Sequence, residues 1–293
     1  MPELPEVETI VNGLKKEVLK RTFLNIWTDA PKLVKRRTLN DFKRNIVGRK
    51  ILDIKRRAKN ILFCLDTDYV LLVHQKMSGH LLIGKWKQKG KLWVPDKKGP
   101  LSEDPMNRFL HFIFFLSDGK QIALSDIRKF AKIELWKKQD LLNNKEYQSI
   151  GPEPLEKEFI FKKFKDLFKN KSGKVKQVLM DQNFIAGIGN IYASEILLEA
   201  RLHPESRVEH LTDEDFKNVY KAIRKILKKG IETGGASRSD FRNIYGEKGG
   251  FQKVARVYGK EGEKCPLKCG GVVKRLKIGG RSSFYCPQCQ QKK

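Results

Sequence analysis

The residue with the most distinctive chemical potential is Pro2, which follows the initiator methionine. Its small side chain favours removal of Met1, and removal would leave a secondary amine at the mature terminus. A terminal amine titrates near ~8, against ~10.4 for lysine, so much more of it is nucleophilic at neutral pH. Attack of this amine on a sugar aldehyde carbon would form a charged iminium, which is an electron sink for elimination. Three acids, Glu3, Glu6 and Glu8, follow it in a chain that is otherwise strongly basic.

The same stretch also has a purely structural explanation. Pro5 suits the first turn of a helix, and Glu6 and Glu8 complement the positive end of the helix dipole. The apolar positions after it follow the helical period, namely Val7, Ile10, Val11, Leu14 and Val18. We therefore predict a helix over about residues 5–19 whether or not the terminus is catalytic.

A second reactive group lies near the other end of the chain, where four of the five cysteines are crowded. Two pairs, with three and two residues between their members, are separated by sixteen residues. Paired cysteine knuckles around a short hairpin supply the tetrahedral thiolates of structural zinc, and a reducing compartment disfavours disulfides. The predicted ligands of one structural Zn²⁺ are Cys265, Cys269, Cys286 and Cys289.

Several cations and apolar residues occupy predicted turns, and each has two interpretations. Arg281 follows two glycines at the tip of the cysteine hairpin, where it could contact a phosphate or simply be a solvated charge. A Gly-x-Gly turn before Asn190 begins a helix whose N–H groups could bind phosphate, or it simply joins two helices. Met77 and Phe130 lie at predicted loop tips beside cations. They could insert into a base stack as wedges, or they could pack at the edge of the hydrophobic core.

Composition restricts the class of partner. The chain has 293 residues, enough for two domains, and 61 Lys and Arg against 34 Asp and Glu give a net charge of +27. This excess predicts a polyanionic partner, although a generally adhesive basic protein or a membrane-surface protein would share it. We find no apolar run of the ~20 residues needed to span a membrane and no signal peptide, so we expect a soluble, intracellular protein.

The elements predicted along the chain fall into two classes. Up to about residue 140 we predict antiparallel strands, including hairpins around 66–68 and 117–119, with an exposed loop over 85–106. The Gly-Pro-Glu-Pro sequence at 151–154 predicts a linker. Beyond it we predict helices over 159–168, 175–181 and 190–200, and another that begins at the capping box 212–215.

These residues converge on one family, because the chain resembles formamidopyrimidine-DNA glycosylases essentially end to end. The motifs that carry the resemblance are the Pro-Glu-Leu-Pro-Glu-Val-Glu start and the segments 56–59, 77–79, 151–155, 181–195 and 281–290. The resemblance implies an α+β fold, with an N-terminal antiparallel β-sandwich and N-terminal helix over 1–150. It also implies a helix–two-turn–helix domain over 151–255, a lid over 236–250, and a zinc-ribbon finger over 256–291.

The resemblance further implies a monomeric bacterial enzyme of the cytoplasm, acting with the nucleoid on double-stranded DNA that contains oxidised bases. It would be a bifunctional glycosylase and AP lyase that removes 8-oxoguanine and formamidopyrimidines. Pro2 would attack C1′, Glu3 would be the general acid/base supported by Glu6, and Lys59 and Arg281 would act in β- and δ-elimination. The implied DNA contacts are His74, Met77, Arg128, Phe130, Lys171, Lys176 and Asn190.

Some positions depart from the family pattern. Cys265 and Cys269 have three residues between them where two are usual, Phe109 replaces a histidine, and Ile127 and Lys129 flank Arg128 in place of proline and arginine. Ala236 and Ser237 also begin the lid where threonines are common. This change and the one around Arg128 bear on lesion preference, and two alternatives stay open. One is the sister enzyme for oxidised pyrimidines, and the other is a non-catalytic zinc-finger protein that binds damaged DNA.

Overall fold

The structure is a computed structural model that describes residues 1–238 and 240–293. The chain forms two compact units, the first comprising Met1–Gln148 and Thr233–Gln252 and the second Ser149–Glu232 and Lys253–Lys293. The predicted lid over 236–250 therefore folds with the first unit, whereas the sequence-based division placed it in the helical domain. One lid position, Ser239, lies outside the described residues.

The first unit begins with a helix and continues mainly as strands. Its helices are α1 (Leu4–Val18), α2 (Leu39–Ile46), α3 (Pro100–Glu103), α4 (Lys138–Leu142) and α5 (Lys145–Gln148). Its strands are β1 (Phe23–Thr28), β2 (Val34–Lys35), β3 (Ile51–Arg57), β4 (Asn60–Leu65), β5 (Tyr69–His74), β6 (His80–Gly84), β7 (Trp86–Lys89), β8 (Leu92–Pro95), β9 (Leu110–Leu116), β10 (Gln121–Ser125) and β11 (Lys132–Lys137).

Two sheets of this unit form the predicted sandwich. One has the order β1-β9-β10-β6 and the other β2-β11-β5-β4-β3, and all pairs are antiparallel except the short β2–β11 pair. The core contains buried residues of both sheets, such as Phe63 and Phe114, together with the apolar face of α1. The helical period of this face explains the packing, because Val7, Ile10 and Leu14 are all completely buried.

The prediction that residues 85–106 form an exposed loop is wrong. This segment forms the antiparallel hairpin β7–β8 and then α3, followed by a 3₁₀ turn over Pro105–Arg108. Trp86 is buried, and the Trp93 ring lies 5.4 Å from that of Trp27 in an edge-on contact. A small second cluster that includes these aromatic rings also contains Ile113 and Ala123 of β9 and β10. The Lys/Gly/Pro composition concealed an amphipathic hairpin that covers part of a sheet.

The second unit is helical and ends in a small two-stranded finger. Its helices are α6 (Phe161–Asp166), α7 (Val175–Met180), α8 (Asn190–Glu199), α9 (Asp213–Glu232) and, at its junction with the first unit, α10 (Phe251–Val254). The finger strands are β12 (Lys274–Ile278) and β13 (Arg281–Tyr285). The predicted capping box of α9 is confirmed. The Thr212 N–H donates to Asp215 Oδ2 at 2.8 Å, and the Asp215 N–H donates to Thr212 Oγ1 at 3.3 Å.

Aromatic residues hold this helical unit together. The rings of Phe168 and Phe184 lie 4.7 Å apart, and Phe168 is equally close to Phe216 of α9. α8 is apolar around its circumference and is buried along nearly its whole length, which places it at the centre of the unit. Among the described residues, none of the helices is both long enough and apolar enough to cross a bilayer.

Candidate functional site

The residues that follow Met1 are buried together with their acids. Pro2 is buried, and Glu3 and Glu6 are 3% and 2% exposed. Glu6 uses both carboxylate oxygens, because Oε2 accepts from the Glu3 N–H at 2.7 Å and Oε1 accepts from the Ala236 N–H at 2.6 Å. Gly235 permits this approach, since it has a φ of +80° and a Cβ there would lie 2.8 Å from Glu6 Oε1. The first turn of α1 is thereby joined to Ala236, the first residue of the predicted lid.

The environment of the terminus favours an uncharged amine. Burial lowers the pKa of the Met1 α-amino group below its ordinary value, and the Lys59 ammonium acts in the same direction. The carboxylates of Glu3, Glu6 and Asp240 oppose this effect. An amine held in this setting is nucleophilic over a wider pH range than an exposed one.

Lys59 belongs to the same setting through a tight turn. It is 5% exposed and follows Ala58, whose φ of +52° lies in the left-handed region that an alanine seldom adopts. Arg56 fixes the turn to α1, because its Nε donates to Glu8 Oε2 at 2.6 Å and its Nη1 donates to the Ala58 carbonyl at 3.2 Å. The structure thus brings together the terminus, Glu3, Glu6 and Lys59, four groups that sequence reasoning assigned to catalysis.

His74, at the end of β5, is held as a neutral donor. Burial, followed by the charges of Lys76, Lys132 and Lys59, lowers the pKa of His74 to about 3. Its Nδ1 accepts from the Lys76 N–H at 2.9 Å, so in the neutral ring the proton resides on Nε2. Such a ring can donate one hydrogen bond to an anionic oxygen without bringing a charge.

Two neighbouring turns present the predicted wedge residues to solvent. Met77 and Phe130 are 48% and 50% exposed, and Ile127, one of the departures from the family pattern, is 48% exposed. The Arg128 guanidinium lies 4.5 Å from the Phe130 ring centroid, in cation–π geometry. Exposed apolar groups at turn tips contribute nothing to the core, so the core-edge interpretation does not describe them.

Asp126 joins these turns, and sequence reasoning missed it. Its completely buried carboxylate accepts from Ser78 Oγ at 2.6 Å, from Phe130 N–H at 2.7 Å and from Ala131 N–H at 2.8 Å. Ser78 follows Met77, so one carboxylate holds the turns that carry both wedges. An acid at the end of a buried apolar strand, directly before a basic turn, was the available signal.

In the second unit, Lys176 is the predicted DNA contact with the most unexpected setting. It is 1% exposed, and its Nζ donates to Ser283 Oγ at 2.7 Å, Ser194 Oγ at 3.1 Å and the Ser282 carbonyl at 3.3 Å. Asn190 Nδ2 donates to the same Ser282 carbonyl at 2.9 Å. Both side chains therefore fix β13 directly after Arg281.

Arg281 and Lys171 are more accessible than Lys176. Arg281 is exposed at the start of β13, and it lines a cavity of about 200 Å³ with Lys176, Gln177 and Gly279. Lys171 is 40% exposed and lies 3.6 Å from Asp181 Oδ2. The cavity wall also includes Asp181, so it carries charges of both signs.

The four finger cysteines have the arrangement of a metal site. Their Sγ atoms all lie within 4.8 Å of one another, with Cys265–Cys289 at 3.7 Å and Cys269–Cys286 at 3.5 Å. A zinc–sulfur bond of ~2.3 Å in a tetrahedron gives sulfur separations of about 3.8 Å. The longer spacing between Cys265 and Cys269 is therefore compatible with one structural zinc.

Glu195 supports the chain segment that leads into the finger. It is the last residue of the motif 181–195, and sequence reasoning assigned it no role of its own. It is 1% exposed within apolar α8, and its carboxylate accepts from the backbone N–H groups of Arg256, Val257 and Tyr258 at 2.8–2.9 Å. An acid inside an otherwise apolar helix is the signal for such a buried acceptor, because an unpaired carboxylate there would be costly.

Three family models match the chain in order. A model described as the formamidopyrimidine-DNA glycosylase N-terminal domain matches residues 1–133, and the corresponding H2TH domain model matches residues 150–242. A model described as the zinc finger found in FPG and IleRS matches residues 262–292. The three descriptions agree with the sandwich, helical unit and cysteine finger in the structure.

Full-length relatives and solved structures give the same result. The formamidopyrimidine-DNA glycosylases of Pelotomaculum thermopropionicum and Carboxydothermus hydrogenoformans are 38% and 39% identical, over 100% and 99% of this chain and 100% of each relative. Lactococcus lactis Fpg in complex with abasic-site DNA matches at a TM-score of 0.86 and 32% identity. Its complex with DNA containing N7-benzyl-Fapy-dG matches at 0.85 and 32%, and both matches cover 99% of this chain and 100% of the other.

Proposed function

Because the chain belongs to the formamidopyrimidine-DNA glycosylase family, whose members remove damaged bases from DNA, we propose that it excises oxidised purines and then cleaves the strand. The substrate class is duplex DNA containing 8-oxoguanine or formamidopyrimidines. The complexes of Lactococcus lactis Fpg with abasic and Fapy-dG-derived DNA support this class. The net charge of +27 supports phosphate binding, which would offset the few kcal/mol needed to extrude a base.

The observation that carries the proposal is that Pro2 is buried together with Glu3, Glu6 and Lys59, which act electrostatically on the terminal amine. After removal of Met1, the Pro2 nitrogen attacks C1′ of the damaged nucleotide, the bond from C1′ to the base breaks, and the base leaves with a proton. Opening of the sugar ring yields an iminium between Pro2 and C1′. Glu3 serves as the general acid/base for these proton transfers, and Glu6 holds the Glu3 backbone through its 2.7 Å hydrogen bond.

The iminium then drives elimination. Loss of a proton from C2′ breaks the C3′–O bond, with Lys59 assisting and contacting phosphate. A second elimination, in which Arg281 acts, breaks the C5′–O bond. Water then adds to C1′ of the iminium and the C1′–N bond breaks, which releases the unsaturated sugar fragment as an aldehyde and regenerates the Pro2 amine. The DNA is left with a one-nucleotide gap that has phosphate at both ends.

The remaining site residues bind the damaged duplex. Met77, Arg128 and Phe130 fill the space left by the extruded nucleotide, and the cation–π contact within this group keeps the guanidinium in place to address the orphaned cytosine. His74 and Lys171 donate to backbone phosphates. Lys176 and Asn190 act on the same backbone by fixing the finger strand that carries Arg281. The structural zinc holds the finger hairpin in its fold.

The nucleophile is tested by covalent trapping. Borohydride is expected to reduce the iminium and to leave the processed protein attached to DNA that contains 8-oxoguanine. A protein carrying a Gly-Ser extension before Pro2 is the matched comparison, because it binds DNA through the same surfaces but has no terminal secondary amine. Trapping of the extended protein at the level of the processed protein would refute the assignment of Pro2.

The sister specificity for oxidised pyrimidines is the second candidate, favoured by the departures around Arg128 and at Ala236 and Ser237. Cleavage of 8-oxoguanine opposite cytosine is to be compared with cleavage of thymine glycol opposite adenine, under single-turnover conditions. We expect the purine lesion to be cleaved faster. Faster cleavage of thymine glycol would assign the protein to the enzymes that prefer oxidised pyrimidines, and the proposed role of Pro2 would be unchanged.

A further inference from the structure

Residues Asp104–Asn107, which we term the buttress, directly contact the base of the lid. Arg242 makes a two-pronged contact with Asp104, with Nε to Oδ2 at 2.7 Å and Nη2 to Oδ1 at 3.1 Å. The Arg242 side chain is 5% exposed and that of Asp104 is 17% exposed. Loss of the carboxylate would leave a buried guanidinium charge without this compensation, which is costly.

Asn107 forms the second contact, four residues further along the lid. It is 1% exposed, its Nδ2 donates to the Gly246 carbonyl at 3.0 Å, and its Oδ1 lies 3.0 Å from His80 Nε2. Gly246 has a φ of +82°, and a Cβ there would lie 2.5 Å from Asn107 Nδ2. Glycine at this position therefore allows both the turn and the close approach of the buttress.

The segment between these two contacts is also fixed. The Ile244 carbonyl accepts from the Ile83 N–H of edge strand β6 at 2.7 Å, and Ile244 itself is buried. At the other end of the lid, the Ala236 N–H donates to Glu6. The start of the lid is thus held to α1 and its middle to the buttress and β6, while the Gly249 N–H donates to Ser237 Oγ at 2.8 Å and closes the lid on its own first turn.

We propose that the buttress is a positioning element for base recognition, which sets the position of lid residues 240–246 over the extruded base. This inference rests on the proposed function and assigns a role to the segment that composition alone predicts as an exposed loop. A lid that contacts the base matters for base excision, whereas an abasic site offers it no base to contact. Weakening the buttress should therefore slow glycosylase action and spare cleavage of a preformed abasic site.

The test uses Asp104→Asn with Asp96→Asn as the matched control. Both changes convert a carboxylate to an amide within the same segment, but Asp96 pairs with Lys87 in the hairpin, at 2.6 Å. In single-turnover assays, Asp104→Asn is expected to slow 8-oxoguanine excision on the order of tenfold, the equivalent of one charged hydrogen bond. Its cleavage of abasic DNA, and both activities of Asp96→Asn, should stay within about twofold of wild type.

A second variant and a structural measurement guard against misfolding. Gly246→Ala is expected to give the same split between substrates, and amide hydrogen exchange over 241–246 should accelerate in Asp104→Asn but not in Asp96→Asn. The inference would be overturned if Asp104→Asn lost activity equally on 8-oxoguanine DNA and abasic DNA. It would also be overturned if this variant showed neither slower excision nor faster amide exchange. Wild-type protein that cleaves neither substrate would contradict the proposed function, and amide exchange would then decide whether the buttress holds the lid.

Discussion

Glu6 Oε1 accepts a hydrogen bond from the Ala236 N–H at 2.6 Å, across a sequence separation of 230 residues. The other oxygen of the same carboxylate accepts from the Glu3 N–H. The proposed general acid/base and the start of the lid therefore share one buried acceptor. Glu6 has a structural role that helix-start chemistry alone does not require.

Replacement of Glu6 by glutamine tests this shared acceptor. The amide keeps one acceptor oxygen, so one of the two backbone N–H groups loses its partner and meets an NH₂ group. We expect a loss of about 1–3 kcal/mol in the free energy of unfolding and slower 8-oxoguanine excision. Urea denaturation and single-turnover kinetics provide the measurements. Glu232→Gln, at an exposed pair with Lys229, is the control and should change neither value.

Lys176 distinguishes an indirect role from direct phosphate contact. Lys176→Met removes three hydrogen bonds from the buried ammonium and should destabilise the second unit by about 2–4 kcal/mol. Lys171→Met, at a side chain 40% exposed, should change stability by less than about 0.5 kcal/mol. Urea titrations of both variants provide the comparison. Equal stabilities, with a DNA-binding salt slope lowered by about one for Lys176→Met, would indicate a direct contact instead.

The stability of the protein should fall as the pH decreases from about 7 to 5. Burial lowers the pKa of His74 to about 3 and that of His80 to about 4, from 6.5. Below pH 6.5 the unfolded chain binds protons that the folded chain does not, so each histidine lowers stability by about 1.4 kcal/mol per pH unit. His80→Gln should reduce the measured slope by about one proton. Urea denaturation at pH 7.5, 6.5 and 5.5 gives the slope, and identical slopes would show that His80 titrates normally.

Removal of zinc should unfold the finger without unfolding the sandwich. A chelator strong enough to strip the four thiolates is expected to abolish strand cleavage, because the hairpin Lys274–Tyr285 loses its support. Hydrogen exchange should accelerate in β12 and β13, while the amides of β4 and β5 remain protected. Restoration of activity by added zinc is the control, and persistent cleavage by metal-free protein would contradict a structural role.

The sequence by itself determined the local features of this protein. Helical periodicity predicted α1, Asp-Gly and Asp-rich turns predicted two hairpins, and cysteine spacing predicted the zinc ligands. Each of these depends on residues that are near neighbours along the chain or on a motif with few alternatives. The formamidopyrimidine-DNA glycosylase resemblance was available for the same reason, since its strings are specific and occur in order.

Only the tertiary structure decided which distant groups share a partner. The bonds of Glu6 to Ala236, Arg242 to Asp104, and Lys176 to Ser283 span about 100 residues or more, and the Asp126 bond to Ser78 spans 48. Buried polar groups must find hydrogen-bond partners, but the local sequence does not specify which partner the fold brings within about 3 Å. The assignment of 85–106 failed for the same reason, because Trp86, Trp93 and Leu101 are covered only when β9 and β10 lie beneath them.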